Sequence, residues 1–131
     1  MVTTNDLYIG IDIGKTKIST GIVNLNNLTV IESIYEEYSN KTKKCILAII
    51  EKHIYNFIKS YSVKGIGISS FGIIDKNNEV VISSKYINEW NNVQLAKHFR
   101  KLFGIQNIFV FNDVVAACVG EYYKIGNINK L

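Results

Sequence analysis

Two short polar stretches stand at the ends of apolar runs, and they carry the side chains that could do chemistry. The first is Asp12-Ile-Gly14-Lys15-Thr16-Lys17, which lies between Tyr8-Ile-Gly-Ile and Ile18-Ser-Thr-Gly21-Ile-Val. Both flanking runs are rich in Ile and Val and read as strands, so Gly14-Lys15-Thr16 is a tight turn between them. A glycine there lets backbone approach a ligand closely, and successive turn amides can face an anion. Thr16 adds a hydroxyl donor, and Lys15 and Lys17 add ammonium groups. The pattern suits a phosphate cradle. Asp12, at the end of the first strand, suits Mg²⁺ beside the phosphates, held directly or through water. An ordinary Asp-x-Gly hairpin turn accounts for the same residues with no ligand. The stretch is neither a Walker loop nor a dinucleotide fingerprint, since no strand leads through it into a helix.

The second stretch is Asn112-Asp113. It closes the apolar strand Ile108-Phe-Val-Phe111, which reads as buried, and opens a small-residue helix, Val114 to Tyr123. Strand ends that lead into helices are where α/β sheets present ligands. A helix N-terminus favours Asp113 as a carboxylate, although Asp is also a common N-cap. Asp12 suits metal and phosphate, and Asp113 suits accepting a proton from a hydroxyl.

The elements that must position these residues follow from periodicity. Leu28 to Tyr35 is a third strand, which makes an antiparallel meander with the first two. Residues 41 to 61 form an amphipathic helix with Ile46, Ile50, Ile54, Phe57, Ile58 and Tyr61 inward. His53 falls on its polar side, so a surface histidine is predicted. Val63 to Ser70 is a strand that follows a helix, as in a parallel crossover, and its Gly65 and Gly67 predict close packing or a twist. After the loop Ser69-Ser-Phe-Gly72, residues 73 to 82 read as a hairpin around an Asn-Asn turn, and Trp90 sits in a polar loop. A helix from Val93 to Phe103 buries Leu95, Ala96, Phe99, Leu102 and Phe103 and stops at Gly104. The order β-β-β-α-β-(hairpin)-α-β-α predicts a mixed sheet, with the meander on one side and parallel strands on the other.

Composition narrows the function classes. The chain has 131 residues, enough for one domain with a core, and charged residues make up 20%, which argues against disorder. The net charge of +4 is scattered apart from Lys41-Thr-Lys43-Lys44, which reads as a solvated surface. With no recognition helix and no RNA-binding aromatic motif, nucleic acid is not the expected partner. Cys45 and Cys118 read as buried free thiols without metal-ligand spacing. No apolar run reaches membrane-spanning length and no leader precedes the first strand, so the expected location is the cytoplasm and no membrane partner is expected.

The two polar stretches, in this order and with Gly-Ile-Gly-Ile-Ser-Ser-Phe-Gly72 between them, resemble the N-terminal lobe of the ROK family. These are bacterial sugar kinases and sugar-responsive repressors of the actin-like ATPase superfamily. The resemblance runs from Tyr8 to Glu121. Asp12-Ile-Gly-Lys-Thr-Lys17 resembles the family's first phosphate motif, usually Asp-x-Gly-Gly-Thr-Lys. Phe71-Gly72 with Asp75 resembles its Pro-Gly-x-x-Asp loop, and Trp90 with Val93-Gln-Leu95 resembles its Trp segment. Phe111-Asn-Asp-Val-Val-Ala-Ala117 with Gly120-Glu121 resembles its Glu-Asn-Asp-Ala-x-Ala-Ala block. Lys15 stands where the family usually has Gly, and Phe71 where it usually has Pro.

The resemblance implies an α/β, actin-like (RNase H-like) lobe spanning residues 1–131, with the second lobe lying outside this chain. It implies ATP and Mg²⁺ as cofactors of the full-length protein, a small hexose as substrate and room for a homodimer. The Cys/His zinc motif of the family falls outside these residues. It assigns Asp113 as the base and Asn112, Asp113 and Gly72 to the sugar. Gly14, Thr16 and Lys17 fall to the phosphates, and Asp12 to Mg²⁺ through water. The implied enzyme is a glucokinase- or fructokinase-like sugar kinase whose isolated lobe is inactive. The alternative is a non-catalytic sugar-sensing domain of a ROK-type regulator, which Lys15 favours. A nuclease needs a larger cluster of acids than Asp12 and Asp113 provide.

Overall fold

The computed structural model describes residues 6–70, 73–75, 80–83 and 93–112. Five strands form one sheet. Strands β1 (Leu7–Ile13), β2 (Lys17–Asn24) and β3 (Thr29–Glu37) make the meander, and β4 (Gly65–Ser70) and β8 (Ile108–Asn112) extend it, in the order β3-β2-β1-β4-β8. The meander pairs are antiparallel, while β1 with β4 and β4 with β8 are parallel. This is the expected mixed sheet. Strands β5 (Ile73–Asp75), β6 (Val80–Ser83) and β7 (Val93–Gln94) form a second, three-stranded sheet. The expected hairpin is present as β5 and β6, while Val93 and Gln94, read as the start of a helix, form the two-residue strand β7, and the helix begins at Leu95.

The pleat sorts the large sheet into two faces. Ile9, Ile11 and Ile13 of β1, Ile18 and Ile22 of β2, Ile66 and Ile68 of β4, and Ile108 and Val110 of β8 are all buried. Helices α1 (Lys43–Ile58) and α2 (Leu95–Phe103) pack their apolar stripes into this same core. Fully burying one such side chain stabilises by roughly 1.5–3 kcal/mol, so this face holds the fold. Helix α1 starts at Thr42, whose hydroxyl accepts from the Cys45 amide at 3.2 Å. Helix α2 stops at Gly104 in the left-handed region (φ 72°), the predicted stop.

Four details differ from the sequence reading. His53 is not on the surface but 3% exposed. The buried stripe of α1 is 46, 49, 50, 53, 54 and 57, the i, i+3, i+4, i+7, i+8, i+11 face of a helix, and it takes in both Ile49 and His53. Leu102 is half exposed, because the buried face of the short α2 narrows to Leu95, Ala96 and Phe99. Strand β8 is an edge strand among the described residues, and its Phe109 is 46% exposed. The Cys45 thiol is free but only partly buried. Cys118, Trp90 and the helix read from Val114 to Tyr123 lie outside the described residues.

The two strand glycines of β4 differ. A Cβ at Gly65 would sit 2.6 Å from the Asn107 carbonyl oxygen and from the Tyr8 ring, which is the close approach expected. A Cβ at Gly67 would meet nothing within 4 Å among the described residues. Gly67 belongs to the sheet's second face.

Candidate functional site

The parallel strands bring three carboxyl ends to one edge of the sheet. Asp12 pairs in register with Ser69, and Ser69 with Phe111, while Ile13, Ser70 and Asn112 form the next row. Asp12 and Asn112 therefore stand within one row of each other and two strands apart. At the usual strand spacing that separation is about 10 Å across the sheet. The parallel pairing places these ends together, which makes the edge a mouth where a ligand can meet several strands. Asp113 and Gly72 lie outside the described residues.

The turn joining β1 to β2 forms one side of this mouth. The Gly14 amide donates to the Lys17 carbonyl at 2.9 Å and closes the turn, leaving Lys15 and Thr16 at its tip. A Cβ at Gly14 would fall 2.9 Å from that same carbonyl oxygen. Contact with backbone cannot be relieved by a side-chain rotation, so only glycine fits. Lys15, Thr16 and Lys17 are exposed. The Lys17 ammonium lies 5.2 Å from the centroid of the Tyr35 ring, on the β3 side of the turn.

Asp12 projects on the sheet's second face, opposite the helices, and is exposed. Its register neighbours there are Ser19 of β2 and Ser69 of β4. All three line a groove of about 680 Å³ whose floor includes Gly10, Gly21 and Gly67. One exposed carboxylate flanked by hydroxyls is a hard, oxygen-only donor set. Mg²⁺ is commonly held by one or two carboxylates, with waters and substrate phosphates completing the octahedron, so Asp12 fits that ion. No cluster of three or more His, Cys, Asp or Glu side chains occurs among the described residues.

Sequence reasoning passed over two clusters. Tyr38 and Lys41, in the connection from β3 to α1, reach back to the turn. The Tyr38 hydroxyl donates to the Gly14 carbonyl, its amide donates to the Thr16 carbonyl at 2.9 Å, and the Lys41 ammonium donates to the Lys15 carbonyl. Burial pushes the Tyr38 phenol above its ordinary range, so it stays protonated and able to donate. Tyr38 belongs to no periodic pattern, and Lys41, read as the start of the helix and part of a solvated basic cluster, lies just before α1 instead. The second cluster is His53, whose Nδ1 lies 2.7 Å from the Thr20 hydroxyl and whose Nε2 lies 3.3 Å from Glu36. It ties α1 to β2 and β3 on the helical face, away from the mouth.

A mixed sheet in the order β3-β2-β1-β4-β8, with an antiparallel meander on one side and parallel strands on the other, is the architecture of the actin-like ATPase lobe. The ROK family model matches residues 8–130, so the chain belongs to the ROK family. It is 29% identical over 117 residues to the xylose repressor of Bacillus spizizenii, an overlap of 86% of this chain and 30% of the repressor. It is 28% identical over 113 residues to the glucokinase of Thermotoga maritima, covering 86% of this chain and 35% of that enzyme. Among solved structures it resembles a ROK family glucokinase from Streptomyces griseus in complex with glucose and AMPPNP. That match has a TM-score of 0.78 at 28% identity and covers 88% of this chain and 36% of the other. The chain thus spans about a third of the length of these relatives. Both sugar kinases and repressors stand among them. No helix among the described residues is long and apolar enough to cross a membrane.

Proposed function

We propose that residues 1–131 form the N-terminal sugar- and phosphate-binding lobe of an ATP-dependent hexose kinase. One observation carries the reading: β1, β4 and β8 run parallel and end at one mouth, with the Gly14–Lys17 turn and Asn112 at its rim. The reaction moves a γ-phosphoryl group to a sugar hydroxyl, which needs alignment and charge neutralisation more than covalent help. Asp113 is the base that accepts the hydroxyl proton, and Asn112 holds a neighbouring hydroxyl. Gly72 lines the sugar side. Gly14, Thr16 and Lys17 face the phosphates, and Asp12 holds Mg²⁺ through water. Bound there, Mg²⁺ would neutralise phosphate charge. The remaining nucleotide contacts come from a second lobe outside these residues, and the whole protein works in the cytoplasm.

A second reading has its own support. The repressor match is as strong as the glucokinase match, and Lys15 places a long cationic side chain at the tip of the phosphate turn. In this reading the lobe senses sugar without catalysis. Titration of the chain with glucose and, separately, with AMPPNP and Mg²⁺ distinguishes the two. Binding of both supports the kinase, glucose alone supports the sensor, and neither contradicts both.

A further inference from the structure

The Gly14–Lys17 turn is held by more than its own closing hydrogen bond. Its closing hydrogen bond uses the Gly14 amide and the Lys17 carbonyl, and the three intervening carbonyls are held from elsewhere. Tyr38 takes the Gly14 carbonyl with its hydroxyl and the Thr16 carbonyl with its amide. Lys41 takes the Lys15 carbonyl, and its ammonium lies 4.9 Å from the centroid of the Tyr38 ring. Tyr38 itself is 8% exposed and belongs to the main core, so this clamp has a fixed base.

Peptide planarity gives the clamp a consequence. In a trans peptide the C=O of one residue and the N–H of the next point in opposite directions, and no cis peptide occurs among the described residues. Drawing the Gly14 and Lys15 carbonyls toward the 38–41 connection turns the Lys15 and Thr16 amides away from it. Adjacent amides turned to one side form an anion-binding concavity.

We infer that Tyr38 and Lys41 are positioning residues for polyphosphate binding: they hold the carbonyl side of the turn so that the Lys15 and Thr16 amides face the phosphates. The inference rests on the phosphate reading of Gly14–Lys17. It extends the site to a connection with no ligand motif of its own. It also explains why a lysine can stand at position 15. Orientation comes from outside the turn, so the turn tip need not be glycine.

The test is an amide chemical-shift titration of the 131-residue chain with AMPPNP and Mg²⁺, with thermal unfolding measured in parallel. Tyr38→Phe and Lys41→Gln should each raise the dissociation constant about five- to tenfold, the scale of one lost hydrogen bond. Lys41→Arg, which keeps charge and donor, should restore binding. Tyr61→Phe removes a comparable phenol bond, the 2.9 Å one to Glu32, far from the turn. It should leave the dissociation constant unchanged. Folded Tyr38→Phe and Lys41→Gln variants that bind like the parent overturn the inference and leave the phosphate reading intact. A parent chain whose Gly14–Lys17 amides do not respond to AMPPNP overturns both. Should Tyr38→Phe fail to fold, the Lys41→Gln and Lys41→Arg pair decides alone.

Discussion

His53 Nδ1 and the Thr20 hydroxyl meet at 2.7 Å inside the core, across the contact between α1 and β2. Thr20 is 1% exposed, so neither group can turn to water instead. Burial lowers the His53 pKa. The Glu36 carboxylate on β3 opposes that shift in part, and Lys52 on α1 adds to it. The neutral imidazole is therefore the form the fold holds.

This sets the sign of a pH dependence. The folded pKa lies below the unfolded value of about 6.5, so between them the unfolded chain binds more protons. Stability is full above pH 6.5 and falls as pH drops through the folded pKa. Urea unfolding at pH 7.5 and 5.5 should show a loss of stability at the lower pH. His53→Gln should remove that slope. A parent chain equally stable at both values would contradict this account of His53.

Two glycines predict similar costs in stability and different effects on binding. Gly14→Ala presses a methyl group against the Lys17 carbonyl, and Gly65→Ala presses one against Asn107 and Tyr8. Each should destabilise by about 1–3 kcal/mol, the range for overpacking. Only Gly14→Ala should also weaken AMPPNP binding, because Gly65 lies at the opposite end of its strand. Denaturant midpoints and a nucleotide titration check the pair.

Helix α2 gives a contrast in packing. Phe99 is fully buried, while Leu102 is half exposed. Phe99→Ala should cost about 3–5 kcal/mol. Leu102→Ala should cost roughly 0.5 kcal/mol, as surface changes do. Equal losses in urea unfolding would contradict the orientation of α2.

Most of the architecture was legible because it rests on local pattern. The Ile alternation of β1 and β2 encodes the core face, and Gly104 encodes the end of α2. The turn at Gly14 was legible from composition. What escaped depends on contacts distant in sequence. Position 53 is 33 residues from Thr20, and only the packed α1–β2 contact makes a buried histidine favourable there. Tyr38 and Lys41 bond to residues 24 and 26 positions away. Leu102 was misplaced because a nine-residue helix turns only part of its face to the core. The roles of Asp113 and Gly72 rest on the family motif.

The isolated chain should show no sustained turnover, since a lobe that holds the nucleotide on one side cannot align it. A coupled assay with ATP, Mg²⁺ and a panel of hexoses checks this. Continuous sugar-dependent ADP release would contradict the division of the site between two lobes.

The most direct measurement concerns Asp113 in the intact protein. If it is the base, Asp113→Asn keeps the fold and the affinity for hexose while kcat falls by on the order of 10² or more, the scale of general-base catalysis. Turnover at the parent rate would make Asp113 a helix cap and contradict its role as the base.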